Sequence, residues 1–404
     1  MSPKKSKIKL KVIPVKRNNK KISKKTSIKT SIKNGSNSSI KTNKKLGNMP
    51  LNKLYELLDE HSKDFDNNLI NPTIQMAELN EKMGEGEKIK KQIALQEEDT
   101  LYPSIYHPQF SKLIAERDLF SLYSIPDKKG DAESLFSKKS TLQDLEKIQK
   151  PQSKRDIFKL SFNQQFLKNF MSPSSHYRGL LIFHGTGVGK TCSAITIAEQ
   201  MKDMVTSGKN KIYVLKNVDF DQQLFEMNKV KKGNFTNQCT GFEYVDKLND
   251  IDKTIIDNCI KDNTQCDTLV SKAKKIINSY YTFDGMDTWA RKTDLLINKK
   301  SKNKTPSQNL EYKINVIRRD FSDGVIIIDE AHHINSDNID KRLVTKVLTD
   351  VLLYSKNCRL ILLTATPMFD KPSNIVSLIN YLLINDKRSP LPFTIFDKEG
   401  YKIF

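Results

Sequence analysis

One segment of the chain combines an apolar run, a glycine-rich turn and a helical pattern. The apolar run occupies residues 180–183, the turn occupies residues 184–191, and the helical pattern continues over Ser193–Met201. This order of strand, glycine loop, Lys-Thr and helix is the context that a phosphate-binding loop requires. Gly187 and Gly189 allow backbone N–H groups to turn toward phosphate oxygens, and the helix amino terminus adds its positive dipole end. The segment therefore predicts a phosphate site between a strand and a helix.

The side chains that end this turn have the chemistry that nucleotide binding needs. The Lys190 ammonium would reach the β- and γ-phosphates, and the Thr191 hydroxyl would be a ligand of Mg²⁺. His184 replaces the first glycine of the general pattern, so a chance glycine turn is the alternative. The predicted nucleotide-binding residues of the loop are Gly185, Thr186, Gly187, Val188, Gly189, Lys190 and Thr191.

A second apolar run is followed by two acidic residues at its carboxyl end. Val325–Ile328 is followed directly by Asp329 and Glu330. Carboxylates at the end of a buried strand are costly unless they face a cleft. In a nucleotide hydrolase, Asp329 would hold Mg²⁺ through water, while Glu330 would orient and deprotonate the attacking water. A strand that merely ends in two acids is the alternative, and the loop at residues 184–191 argues against it.

A third apolar run, residues 360–363, ends in Thr364-Ala365-Thr366-Pro367. The hydroxyls of Thr364 and Thr366 lie at a strand end, about thirty residues after the acids. We expect them to hydrogen-bond the ring of His332 and to couple the nucleotide state to domain movement.

In the main body, short apolar runs alternate with amphipathic helical patterns. This pattern predicts an α/β fold with a parallel sheet, and the density of Val, Ile and Leu indicates strands that are buried on both faces. Residues 217–320 are polar and too long for a connecting loop, so they hold either further elements or an inserted lobe. The predicted strands are Gly179–Phe183, Lys211–Leu215, Gly324–Ile328 and Arg359–Leu363.

Charge divides the chain into three predicted regions. Residues 1–49 form a Lys-rich tail, because the first fifty residues hold 16 Lys and Arg and no acid. Such a tail is expected to be disordered, and it either solvates the protein or binds nucleic acid, with a nuclear import signal as a third alternative. Residues 50–155 are predicted to be a helical region and a linker, with helical spacing of leucines over residues 51–62. Residues 156–404 form the main body.

Several protein classes are excluded by what the sequence lacks. No apolar run approaches the roughly 18–20 residues that span a bilayer, so no membrane partner is expected. The five cysteines are odd in number and scattered, which predicts a reducing compartment and no disulfide framework. The sequence has neither a C-x-x-C pair nor a partner histidine that would support a zinc site.

The three motifs resemble motifs I, II and III of superfamily 2 helicases. More narrowly, the chain resembles the poxvirus-type ATPases of large DNA viruses, which include a nucleoside triphosphatase of transcript termination and the ATPase subunit of the early transcription factor. The similar stretches are residues 101–103, 166–170, 179–195, 239–241, 321–334, 364–372 and 375–388.

The resemblance implies a RecA-like lobe 1 that binds ATP, Mg²⁺ and DNA or RNA, in a helicase or translocase of viral transcription. It implies viral RNA polymerase or transcription factor subunits as partners, and the virion and host cytoplasm as the location. No second-lobe motif follows, so the second lobe is expected to be lost, split off or supplied by a separate chain. A non-motor nucleic-acid-binding subunit is the alternative.

The resemblance also suggests roles for residues outside the three motifs. Gln164 lies where such enzymes place a glutamine that hydrogen-bonds the adenine edge. Gln165 is its neighbour, so the sequence leaves open which of the two glutamines matches that position. The aromatic residues of 280–283 and Trp289 would either stack on bases or pack in the core.

Overall fold

The computed structural model describes most of the chain from Leu46 onward. The part of the predicted helical region and linker from residue 122 to residue 155, and the loop residues 186–188, lie outside the described part. The described ranges are 46–97, 100–121, 160–185, 189–205, 212–215, 266–299, 305–335, 339–368 and 374–395, with residues 239, 240, 244, 247, 248, 254, 258 and 259 between them.

A parallel sheet forms the centre of the molecule. Its described strands run in the order β1-β5-β4-β2-β3, and every neighbouring pair is parallel. Three of the predicted strands differ from the structure by one residue, and β3 was not predicted. The predicted RecA-like α/β class is confirmed. The strands are β1 Gly179–Phe183, β2 Ile212–Leu215, β3 Tyr281–Asp284, β4 Val325–Ile328 and β5 Arg359–Thr364.

The inner strands β4 and β5 are buried on both faces, as the apolar runs predict. In β4, Val325 and Ile327 belong to one hydrophobic cluster, whereas Ile326 and Ile328 belong to another. All four side chains are inaccessible to water. Successive strand residues point to opposite faces, so a strand covered on both sides has no polar positions.

Helices cover each face of the sheet. The cluster of Val325 includes buried residues of α6 and α8, and the cluster of Ile326 includes those of α9 to α12. Short 3₁₀ turns occur at Ala331–Asn335 and Phe393–Ile395. The helices that follow the amino-terminal region are α5 Phe162–Phe170, α6 Lys190–Gln200, α7 Lys202–Val205, α8 Cys266–Tyr280, α9 Met286–Ile297, α10 Pro306–Phe321, α11 Ile339–Tyr354 and α12 Asn374–Asn385.

Four helices precede the sheet in the chain: α1 Leu51–Leu69, α2 Met76–Gln96, α3 Phe110–Glu116 and α4 Asp118–Ser121. The leucine spacing over residues 51–62 predicted the first of them. Leu46, from the segment assigned to the tail, is buried with Leu54 of α1 and with Ile89 and Ile93 of α2. The packed structure therefore includes Leu46.

The amino-terminal helices pack directly on the sheet domain. Phe65 and Met83 share a buried cluster with Leu353 of α11. Asp66 of α1 accepts a hydrogen bond from Arg318 at 3.1 Å and pairs with Lys356 at 2.5 Å. The described part of the helical region and the main body thus belong to one compact unit.

The region between residues 217 and 320 contributes to the same sheet. Its described part from Cys266 onward supplies α8, β3, α9 and most of α10. Tyr281 and Trp289 are each 2% exposed, so the core-packing role of these two side chains is confirmed. This part of the region belongs to the sheet domain, which answers the choice between further elements and an inserted lobe for these residues.

The prediction that the cysteines form no disulfides is wrong. Cys192 is bonded to Cys239 and Cys259 is bonded to Cys266, with Cα–Cα distances of 5.5 and 4.8 Å. Cys358 is a buried free thiol. The fold brings Cys192 and Cys239 together across 47 residues of sequence, and spacing alone could not reveal that pairing.

No helix in the described ranges has the length and apolar character needed to cross a membrane.

Candidate nucleotide site

The three sequence motifs meet at one edge of the sheet. Strands β1, β4 and β5 are parallel neighbours, so the residues that follow them emerge side by side at the carboxyl ends. Ligands of open α/β sheets bind at this edge. We call the group Lys190, Thr191, Asp329, Glu330 and His332 the carboxyl-edge site.

Gly189 is the residue on which the phosphate loop turns into α6. Its φ is +83°, a left-handed conformation that favours glycine. A Cβ atom here would lie 2.7 Å from the Gln164 amide nitrogen, so a side chain at this position would displace the Gln164 amide. The Gly189 carbonyl accepts hydrogen bonds from the Ser193 N–H at 3.0 Å and from the Gln164 amide at 3.4 Å. The first turn of α6 is therefore fixed by its neighbours.

The central contact of the site is an ion pair between Lys190 and Glu330. The Lys190 Nζ lies 3.1 Å from the Glu330 Oε1, joining motif I to motif II across 140 residues of sequence. The lysine side chain is 10% exposed, whereas the glutamate side chain is 43% exposed. Glu330 has a φ of +49°, so its backbone adopts the left-handed conformation immediately after β4. A partly exposed carboxylate is a partner that an anionic ligand can replace.

Asp329 lies deeper than Glu330. Its side chain is buried, and its Oδ1 accepts a hydrogen bond from the Glu330 N–H at 3.0 Å. Its own N–H donates to the Leu215 carbonyl of β2 at 3.1 Å, which fixes the end of β4 against the sheet.

The donors at this site fit Mg²⁺. Mg²⁺ prefers hard oxygen ligands and is usually held by one or two protein oxygens together with water and substrate phosphates. Asp329 offers a carboxylate and Thr191 offers a hydroxyl on the first turn of α6. Among the described residues, no group of three or more His, Cys, Asp and Glu side chains could hold a metal by itself. The remaining ligands would have to come from nucleotide and water.

His332 connects the acids to the end of β5. Its Nδ1 lies 2.9 Å from the Thr364 Oγ1 and 3.4 Å from the Thr366 Oγ1. The same nitrogen is 3.4 Å from the Glu330 Oε2. The predicted contact between the two hydroxyls and the ring is confirmed, while the coupling role remains a prediction.

Gln164 is attached to the phosphate loop. Its Oε1 accepts the Ser161 N–H at 2.9 Å, and the Ser161 hydroxyl accepts the Gln164 N–H at 3.3 Å, which caps α5. The Gln165 amide instead donates to the Leu160 carbonyl at 2.7 Å. Gln164 is therefore the glutamine that faces Gly189. A Ser-x-x-Gln pattern signals this cap in the sequence.

Sequence comparisons place this site in a known family. Residues 139–369 match the family described as "Type III restriction enzyme, res subunit". The chain belongs to this family, which is abbreviated ResIII. The match spans more than half of the ResIII chain and includes all three motifs of the site.

Relatives of this ResIII chain occur in large DNA viruses. One protein of Acanthamoeba polyphaga mimivirus, whose name proposes an ATP-dependent RNA helicase, is 32% identical over 79% of this chain and 26% of its own length. A protein of Invertebrate iridescent virus 3, whose name proposes a helicase, is 26% identical over 74% of this chain and 25% of its own length. A second mimivirus protein, also named as such an RNA helicase, is 27% identical over 72% of this chain and 40% of its own length.

The ResIII chain thus spans between a quarter and two-fifths of the length of these relatives. No solved structure matches it significantly.

Proposed function

We propose that this chain is the first RecA-like lobe of an ATP-dependent helicase- or translocase-type NTPase. The observation that carries the proposal is the ion pair between Lys190 and Glu330, in which the phosphate-loop lysine meets the carboxylate that would activate water. The names of the viral relatives, which propose ATP-dependent helicases, support the same function.

The ion pair suggests how nucleotide would prepare the site for hydrolysis. A γ-phosphate carries more negative charge than a carboxylate, so it would compete with Glu330 for the Lys190 ammonium. Glu330 would then be released to orient the attacking water and accept its proton. Thr191 and Asp329 would hold Mg²⁺, which neutralises the charge on the phosphates when it is bound.

His332 would transmit the release of Glu330 from Lys190 to the end of β5. When Glu330 leaves Lys190, its Oε2 contact with His332 also changes, and the ring is hydrogen-bonded to Thr364. That hydroxyl ends β5, so movement of the ring would reach the segment that follows this strand. We propose this chain of contacts as the coupling between nucleotide and nucleic acid.

The wider setting is proposed from the viral relatives and from the motifs. We propose DNA or RNA as the polymer, viral transcription as the process, and viral RNA polymerase or transcription factor subunits as partners. The virion and the host cytoplasm are the corresponding locations. Superfamily 2 motors hydrolyse ATP between two RecA-like lobes, and an arginine finger is worth about 10³–10⁵ in rate in related NTPases. We therefore propose that a second lobe, on another segment or another chain, completes the site.

ATP turnover by the purified chain, with and without DNA or RNA, tests the proposal beside a Glu330→Gln control. Turnover that nucleic acid stimulates and Glu330→Gln abolishes is expected if the chain completes its own site. No turnover, with nucleotide binding that Lys190→Ala removes, would show a lobe that needs a partner. Nucleotide binding that Lys190→Ala leaves intact would contradict the proposal.

A second candidate is a non-motor subunit that binds nucleic acid and retains the nucleotide site as a relic. The observation that favours it is the acid-free amino terminus with 16 Lys and Arg in fifty residues. Deleting residues 1–45 would then remove most of the salt dependence of nucleic-acid binding, and ATP would leave the affinity unchanged.

A further inference from the structure

A covalent bond attaches the phosphate-loop helix to a distant segment. Cys192 is the third residue of α6, directly after Lys190 and Thr191, and it is 8% exposed. It is bonded to Cys239, which is 47 residues away in sequence. The disulfide therefore ends on the helical turn whose N–H groups and side chains would bind phosphate.

Tyr244, five residues after Cys239, contacts the other end of α6. Tyr244 is fully buried, and its hydroxyl donates to Glu199 Oε1 in the last turn at 2.8 Å. The Lys202 ammonium lies 4.8 Å from the centre of the Tyr244 ring. Cys239 and Tyr244 thus contact the first and last turns of the same helix.

We propose that the Cys192–Cys239 pair is a thiol–disulfide switch coupled to the nucleotide site. The inference rests on the proposed function, because it assumes that α6 binds nucleotide. In the oxidising direction, one molecule of glutathione disulfide takes two electrons and two protons from the two thiols. The products are the protein disulfide and two molecules of glutathione, so atoms and electrons balance.

The disulfide favours nucleotide binding in this scheme. The bond restricts the first turn of α6 and the segment at Cys239 before a ligand arrives, so less conformational entropy is lost when nucleotide binds. Linkage requires the reciprocal effect: nucleotide must make the disulfide harder to reduce by the same factor. We expect a factor of about ten, which corresponds to about 30 mV for a two-electron couple.

Redox titration of the full chain tests this coupling without measuring activity. The protein is equilibrated in glutathione buffers of varied ratio, with or without Mg²⁺ and a non-hydrolysable ATP analogue. Free thiols are then alkylated, and the Cys192 and Cys239 peptides are quantified by mass spectrometry. The expected result is a midpoint about 30 mV more reducing with the analogue. An unchanged midpoint, or no Cys192–Cys239 disulfide in oxidising buffer, would overturn the inference.

Two variants separate this switch from general effects of oxidation. Cys239→Ser changes no residue of the phosphate-loop helix, and we expect its nucleotide affinity to become independent of the redox buffer. The matched control is Cys259→Ser with Cys266→Ser, which removes the other disulfide. We expect this control to keep the tenfold difference in affinity between oxidised and reduced protein.

The outcomes also distinguish this inference from the proposed function. If nucleotide binds equally in both redox states and Lys190→Ala abolishes binding, the switch is wrong and the nucleotide site stands. If nucleotide binds in neither state, or Lys190→Ala has no effect, both fail.

Discussion

Buried basic side chains have different partners at the two ends of the central sheet. At the carboxyl edge, Lys190 is paired with a single carboxylate that is 43% exposed. At the amino edge, Arg359 begins β5 and is 2% exposed, and its guanidinium donates to the carbonyls of Tyr177, Pro173 and Ser175 at 2.6–3.0 Å. Lys387, nearby in the fold, donates to the carbonyls of Leu352 and Ser355.

This difference separates a structural cation from one that is available to a ligand. Backbone carbonyls are fixed, so removing Arg359 would leave several acceptors without a donor. The Glu330 side chain can rotate toward solvent, so Lys190 can exchange its partner for a phosphate. Burial and the nearby Arg178 lower the pKa of Arg359 to about 10, and the guanidinium therefore remains charged at neutral pH.

The largest effect is expected at the carboxyl edge, where Glu330→Gln removes the proposed base. The amide keeps the shape of the side chain but cannot accept a proton, so kcat for ATP should fall by about 10²–10⁴-fold. Steady-state turnover with saturating ATP and nucleic acid, in the presence of any required second lobe, measures this. Activity within a factor of two of the wild type would remove Glu330 from the chemistry.

At the amino edge, Arg359→Met should reduce stability rather than chemistry. Carbonyl groups left buried without donors cost about 1–3 kcal/mol each, and we expect a total loss of about 3 kcal/mol after relaxation. Urea denaturation followed by circular dichroism measures this loss. The matched control is Arg319→Met, an exposed arginine paired with its neighbour Asp320. A change of equal size in both variants would show that burial of the guanidinium is unimportant.

A smaller effect is expected for His332→Ala, which cuts the contact between the acids and β5. Basal turnover should change little, while stimulation by nucleic acid should fall about tenfold, or about 1.4 kcal/mol of coupling. The ratio of stimulated to basal kcat is the measurement. Loss of both rates in parallel would assign His332 to the chemistry itself.

The smallest effect is a pH dependence that Lys387 gives to stability. Burial, with the nearby Arg178 guanidinium, lowers the pKa of Lys387 to about 7 from 10.5. The unfolded chain then binds more protons than the folded chain between these values, so stability rises with pH across that window. We expect this site to add about 1 kcal/mol between about pH 7 and pH 8. The variant Lys387→Met should lack that slope in parallel urea titrations, and an unchanged slope would contradict the assignment.

Much of the sheet could be predicted because its strands are apolar on both faces. β4 is an unbroken run of Val and Ile, β1 and β5 each contain a run of Leu and Ile, and all three precede recognisable motifs. In contrast, β3 is Tyr-Thr-Phe-Asp and follows α8 directly, so neither composition nor a turn residue separates it from the helix. β3 is the outermost strand because it pairs with β2. The local sequence carries no information about that pairing.

The parts of the site that lie within the sequence motifs were predictable. The contacts between residues that only packing brings together were not. The hydrogen bonds between His332 and Thr364 followed from two strand ends at one sheet edge. The contact of Gln164 with the Gly189 carbonyl could not be anticipated, because it depends on how α5 packs beside α6. The same holds for Cys192 and Cys239, whose pairing is a property of the folded chain.

Equilibrium nucleotide binding tests the central claim most directly. The affinity for a fluorescent ATP analogue is measured with Mg²⁺ for the wild type, Lys190→Ala and Lys313→Ala. Lys313 is a matched control, because it is also a partly buried lysine paired with one carboxylate, Asp350, at 2.9 Å.

We predict that Lys190→Ala weakens binding by about tenfold or more while its thermal unfolding stays cooperative, and that Lys313→Ala binds as the wild type does. Equal affinity in all three proteins would contradict the account, because the carboxyl edge would then hold an ordinary ion pair rather than a phosphate site.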